Sequence, residues 1–140
     1  YILDELKKVK KYKFVIYSGR PGLKKDANLT LKNYHSPDWY KDLKNCRAII
    51  GTAGLSLLSE TLWLNKPYFA IPVGGQIEQI INALYIKKLG FGDWSEKLTA
   101  QKTLDFIKTS EKYRKNLIKA PKEDMDKLYK KLDSIIKALV

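Results

Sequence analysis

The stretch from Arg47 to Ala83 constrains the fold most. It runs twice through one pattern: a short apolar run, a glycine-bearing turn, then a longer segment with apolar residues at helical spacing. The first unit is Arg47-Ala48-Ile49-Ile50-Gly51, the turn Thr52-Ala53-Gly54, and a helix from Leu55 to Asn65. The second is Lys66 to Pro72, the turn Val73-Gly74-Gly75, and a helix from Gln76 to about Leu89. This alternation predicts parallel strands, because parallel neighbours need a long connection and a crossover helix supplies it. Ligands of such sheets bind beyond the carboxyl ends of the strands, where both turns lie.

The flanking segments fit the same architecture. Ile2, Leu3, Leu6 and Val9 recur at helical spacing, and Lys13 to Tyr17 reads as a short buried strand ending in the turn Ser18 to Gly22. Leu29 to Tyr34 alternates as a second strand. Ser36 is expected as the N-cap of a helix with Pro37 in its first position, running to Cys46. After Leu89, Gly90-Phe91-Gly92 stops the helix and an extended piece reaches Trp94. Thr99 can cap a helix carrying Leu104, Phe106 and Ile107. Further helices are expected from Ser110 to Ala120 and from Pro121 to Leu139, and Ile77, Ile80, Ile81 and Leu84 are assigned to the core. The expectation is one domain over residues 1–140: α/β, with a parallel sheet between helices on both faces.

Composition narrows the partners. Net charge is +12, from 27 Lys and Arg against 15 Asp and Glu, which attracts polyanions and anionic membranes. The lysines are scattered along helices beside Glu or Asp, as on solvated faces, so nucleic acid ranks below an anionic membrane surface. No apolar run of about 18 residues and no signal peptide is visible. The single cysteine, Cys46, has no internal partner and reads as a structural thiol of a reducing compartment. Opening at Tyr1 inside a helical pattern, the chain reads as a fragment of a larger protein.

Two constellations carry chemistry. Thr52-Ala53-Gly54 leads from strand to helix, so N–H groups at the turn and at Leu55 and Ser56 face outward toward an anion, and the helix dipole adds to their pull. Gly54 carries no Cβ to block a close phosphate. Glu60 lies one helical turn beyond Ser56, where its carboxylate can accept from a vicinal diol. The second constellation is Gly75, Gln76, Glu78, Gln79 and Asn82, whose amides and carboxylate mix donors with acceptors, as sugar hydroxyls require. His35 is the only histidine, so no histidine metal cluster arises, and Asp124 and Asp126 point to different sides of a helix. No dinucleotide fingerprint or Walker A loop is present.

The series Gly54-Leu55-Ser56-Leu57-Leu58-Ser59-Glu60, Lys66-Pro67, Ile71-Pro72 and Glu78-Gln79-Ile80-Ile81-Asn82-Ala83 resembles the carboxy-terminal half of nucleotide-sugar glycosyltransferases with two Rossmann domains. The nearest likenesses are the UDP-glycosyltransferases and the lipid II synthase family (glycosyltransferase family 28, C-terminal domain), including an archaeal group with a similar Gly-Gln-x-Glu-Gln stretch. The likeness is specific over residues 34–92 and looser elsewhere.

The resemblance implies a Rossmann-like nucleotide-sugar-binding domain of an inverting hexosyltransferase that uses a UDP-sugar and neither a metal nor another cofactor. It implies diphosphate at Thr52, Ala53, Gly54, Leu55 and Ser56, ribose at Glu60, and the base near Tyr34, His35 and Trp39. The donor sugar would meet Gly75, Gln76, Glu78 and Gln79, with Asn82 in support. The catalytic base would lie in an amino-terminal acceptor domain outside this sequence, leaving the fragment inactive alone. A cytoplasmic location follows, with peripheral contact at the inner membrane face open because lipid II synthases use lipid-linked acceptors.

Two departures stand out. Many family members have His where this chain has Thr52, and the family's domain opens with a strand and Gly-rich loop ahead of the helix matching residues 1–12. Arg20 offers a further phosphate contact. Two alternatives stay open: a UDP-sugar 2-epimerase of the same fold, and a non-catalytic basic module for RNA or another polyanion.

Overall fold

The computed structural model describes residues 1–19 and 24–121. Its elements are α1 (Ile2–Lys8), β1 (Phe14–Ser18), β2 (Lys24–Asp26), β3 (Leu29–Asn33), α2 (Trp39–Asn45), β4 (Ile49–Gly51), α3 (Leu55–Trp63), β5 (Tyr68–Ala70), α4 (Ile77–Leu89), β6 (Gly92–Trp94) and α5 (Ala100–Lys119).

The three residues of β5 generate the layers. Successive strand side chains point to opposite faces, and all three are buried. Phe69 packs with Leu6 of α1, Leu29, Leu98, and Phe106 and Ile107 of α5. Tyr68 and Ala70 pack with Ala53, Leu58 of α3, and Ala83 and Ile86 of α4. Helices therefore cover both faces, as the alternation predicts. Each buried side chain of this size contributes roughly 1.5–3 kcal/mol.

The strands form two sheets. β4, β5 and β6 lie in that order, all parallel, with Ile49 opposite Tyr68 and Tyr68 opposite Gly92. β1, β3 and β2 form the other, with β1 and β3 parallel and β2 antiparallel to β3. The expected single sheet is thus divided: β1 and β4 are edges, and no ladder joins them. The sequence does not announce β2, because Lys24-Lys25-Asp26 has no apolar residue to alternate. A turn through Ala27, at φ 54°, closes its hairpin. Asn28 anchors that turn by donating to the carbonyls of Leu6, Val9 and Tyr12, each at 3.0 Å.

Other expectations are corrected. α2 starts at Trp39, not Pro37; the Ser36 carbonyl instead accepts from the Trp39 amide at 3.2 Å, closing a turn ahead of the helix. α5 is one helix, not two, because nothing breaks it: the Thr109 and Ser110 hydroxyls donate to the carbonyls of Asp105 and Ile107. In α4, Ala83 and Ile86 are buried, while Ile77, Ile80, Ile81 and Leu84 are exposed. The segment is apolar on every side, so its period could not select the buried face. The expected N-cap at Thr99 is present, accepting from the Lys102 amide at 3.2 Å. Arg20, Asp124, Asp126 and the helix expected from Pro121 to Leu139 lie outside the described residues, apart from Pro121 itself. Among the described residues no helix is long and apolar enough to cross a membrane.

Candidate functional site

β4 ends at Gly51, where a Cβ would lie 2.5 Å from the Tyr68 hydroxyl oxygen. The space that glycine leaves lets Tyr68 donate to the Thr52 carbonyl at 2.6 Å. Burial pushes the Tyr68 hydroxyl well above the ordinary tyrosine value, so it remains a donor across the neutral range.

Two side chains of α4 hold the turn from the other side. Gln79 Oε1 accepts from the Ala53 amide at 3.1 Å and from the Val73 amide at 3.0 Å. Asn82 Nδ2 donates to the Ala53 carbonyl at 2.9 Å. Gln79 also donates through Nε2 to Gln76 Oε1. Gln79 thereby ties the two glycine turns together, reaching back 26 residues to Ala53. Sequence reasoning missed this role; a glutamine or asparagine one and two turns into a helix after a glycine turn was its only trace.

Gly54 precedes α3 with φ −69° and ψ 137°, and no side chain caps the helix. A Cβ on Gly54 would meet no atom within 4 Å, so the space before the helix is open. Such an uncapped N-terminus attracts negative charge. Thr52, Leu55 and Ser56 are exposed there, whereas Ala53 is buried and its amide already serves Gln79. One turn on, Glu60 is exposed, and among the described residues its carboxylate has no hydrogen-bond or ion-pair partner.

Thr52, Ser56 and Glu60 line one cavity of about 1120 Å³ together with Tyr34 and Trp39. Of the other residues expected at the phosphate, Ala53, Gly54 and Leu55 are not on its wall. Tyr34 is exposed, while Trp39 is half-buried with its ring edge-on to Tyr17 at 4.8 Å. His35 is exposed but does not line the cavity, and the amides of His35 and Ser36 donate to Asn33. Gly75, Gln76 and Glu78 are exposed at the start of α4 and off the cavity wall; Pro72 and Val73 line it instead. Of the expected sugar contacts, Gln79 and Asn82 reach the 52–54 turn directly.

A charged network stands beside the aromatic end. Tyr17 donates to Asp42 at 2.7 Å, and Lys32 donates to Asp38 at 2.8 Å and to Asp42 at 2.7 Å. Bonds from Lys32 and Tyr17 lower the Asp42 carboxyl below its ordinary value, and the two aspartates raise Lys32. Burial, with the Asp42 bond, pushes Tyr17 up to about 12. Cys46 is partly buried, donates to the Leu43 carbonyl at 3.2 Å, and is raised by burial, as suits an unreactive thiol. Among the described residues no three metal-ligating side chains come together.

A parallel-stranded α/β core, with glycine turns at the carboxyl ends of β4 and β5, defines a Rossmann-like domain. The model of the family described as glycosyl transferase family 1 matches residues 2–110, and the chain belongs to that family. Three solved structures share the fold. The glycotransferase of kitacinnamycin has 14% identity and TM-score 0.66, covering 83% of this chain and 33% of that one. The glycosyltransferase SnogD from Streptomyces nogalater has 22% identity and TM-score 0.61, covering 86% and 35%. The spinosyn forosaminyltransferase SpnP has 16% identity and TM-score 0.56, covering 86% and 35%. The chain thus spans about a third of their length. No curated protein sequence matches it.

Proposed function

We propose that this chain is the donor-binding half of a glycosyltransferase that moves a hexosyl group from a UDP-sugar to an acceptor hydroxyl. The observation that carries the reading is the convergence on one cavity of Thr52 and Ser56 at the open α3 N-terminus, Glu60, whose carboxylate has no partner among the described residues, and Tyr34. In this mechanism the diphosphate lies against Thr52, Gly54, Leu55 and Ser56. Backbone N–H groups and the α3 dipole stabilise the negative charge that builds on the leaving diphosphate, so the mechanism uses no metal. Glu60 accepts hydrogen bonds from the two ribose hydroxyls. Tyr34 and Trp39 offer aromatic surface to the base, with His35 beside them. Gly75, Gln76 and Glu78 meet the sugar at the start of α4, and Gln79 and Asn82 hold the phosphate turn in position. The group that deprotonates the acceptor belongs to an N-terminal acceptor domain outside this chain.

An amide NMR titration with UDP tests the reading, since it detects millimolar binding worth only about 4 kcal/mol. Shifts should cluster at residues 51–56 and at Glu60, and Glu60→Ala should weaken them about tenfold. Undiminished shifts in that variant would remove Glu60 from the ribose; no shifts at several millimolar UDP would overturn donor binding by this chain.

A further inference from the structure

α4 buries Ala83 and Ile86 against the sheet and leaves six large apolar side chains exposed. They are Ile77, Ile80, Ile81, Leu84, Tyr85 and Leu89, from 39% exposed at Ile80 to 73% at Ile77. Among the described residues no other element exposes as many. Single apolar side chains are ordinary on a surface, but a row of them marks a contact. Ile77, Ile81, Leu84 and Lys88 are four, three and four residues apart, so they form one line on the side away from Ala83 and Ile86. Ile80 and Tyr85 flank that line. Alternation of four and three is the spacing by which one helix packs lengthwise on another.

Charge and area select the occupant. A helix that lies on an anionic membrane carries basic residues beside its apolar face. Here Lys87 is held by Asp93 of β6 at 3.0 Å, which leaves Lys88. The exposed row Lys108, Lys112, Lys115 and Lys119 belongs to α5, which covers the other face of the sheet. The line on α4 has opposite charges at its two ends, Glu78 in the first turn and Lys88 in the last. It is therefore complementary to itself when reversed: an antiparallel copy turns its basic end to the acidic end and sets Ile81 against Leu84. Each apolar side chain offers on the order of 100 Å², so two copies bring roughly 1,200 Å² together, the low end of specific interfaces.

We propose that the outer face of α4 docks a second copy of this chain in a two-fold pair, with the two α4 helices antiparallel and Ile81 and Leu84 at the axis. The inference goes beyond donor binding and does not need it. Gln79 and Asn82, which reach the 52–54 turn, lie on the other side of the helix, so either reading can fail without the other.

Sedimentation of the 140-residue chain tests the pairing. Dimer is expected at about 100 µM, in keeping with a small interface. It should tighten at least about threefold as sodium chloride rises from about 50 to about 500 mM, because each copy carries +12 and salt screens their repulsion. Leu84→Glu should weaken it at least about thirtyfold, with unchanged thermal melting because Leu84 is exposed. Cross-linking reads the orientation, in a Cys46→Ser background under mild oxidation. Leu84→Cys should cross-link and Ile77→Cys should not, because antiparallel helices hold the two copies of residue 77 about 16 Å apart, beyond the reach of a disulfide. Monomer at about 1 mM in both salts overturns the proposal. So does a dimer indifferent to Leu84→Glu, and so do cross-links at Ile77→Cys with none at Leu84→Cys. A monomer that sediments with vesicles of about 30% anionic lipid, and is released by Leu84→Glu, overturns it by assigning the face to a membrane.

Discussion

At the scale of single residues, Gly54 and Gln79 separate binding from folding. Gly54 has an ordinary φ of −69° and open space where its Cβ would be, so Gly54→Ala is sterically free. The poorer N-cap and the reduced freedom of the unfolded chain nearly offset each other. Its melting should match the parent within about 1 kcal/mol while UDP affinity falls about tenfold, because a methyl stands in the phosphate's approach. Equal affinities in paired titrations would mean that no phosphate comes close there. Gln79 is the opposite case, a polar side chain turned inward on the two turns. Gln79→Ala leaves the amides of Ala53 and Val73 without their acceptor and should cost about 1–3 kcal/mol in urea denaturation. Gln79→Glu keeps an acceptor and should recover most of that. A Gln79→Ala protein as stable as the parent would exclude the tie between the turns.

At the scale of elements, α2 is fastened to β1 and β3 by charge as well as packing. Lys32 and Asp42 side chains are 15% and 27% exposed, so their pair is only partly screened. The folded-state pKa of Asp42 lies below its ordinary 3.8. Its contribution is therefore complete well above that value and is lost as pH falls through the lower, folded value. Asp42→Asn should destabilise by about 1 kcal/mol at pH 7, and the gap should close as the parent is titrated below about pH 4. A gap equally wide at pH 7 and pH 3 would show that the charge contributes nothing. Tyr17 acts at the other end: raised to about 12, it contributes stability that is lost as pH rises from about 10 through that value.

At the scale of the whole molecule, the chain corresponds to about a third of the glycosyltransferases whose fold it shares. If the acceptor's base lies in the remaining two thirds, this chain with a UDP-sugar and an acceptor alcohol should bind donor and release no UDP above the uncatalysed rate. Turnover measured on this chain alone would place the base within it and sink the division of labour proposed above. The Rossmann-like layering was legible because alternating apolar runs and glycine turns report it locally. The division into two sheets was not, because β2 has no apolar signature and the pairing partner of an apolar strand is not written in its own residues. At the site, Thr52, Ser56 and Glu60 were legible from strand–turn–helix spacing, and the structure brings them to one cavity. The inward role of Gln79 was not, because amides in a helix's first turns serve solvent, ligand or a neighbouring loop with the same spacing.

The sequence by itself determined where β4, α3, β5 and α4 begin and end, to within a few residues, and that a glycine turn follows each of β4 and β5. Local periods and the demands of glycine turns act over a handful of residues, so they survive without the rest of the fold. Only the tertiary structure decided that Ala83 and Ile86 are the buried face of α4, that Gln79 reaches Ala53, and that β1 and β4 stand as open apolar edges across a cavity. Each depends on groups brought together from distant parts of the chain, and no repeat in the sequence encodes that meeting.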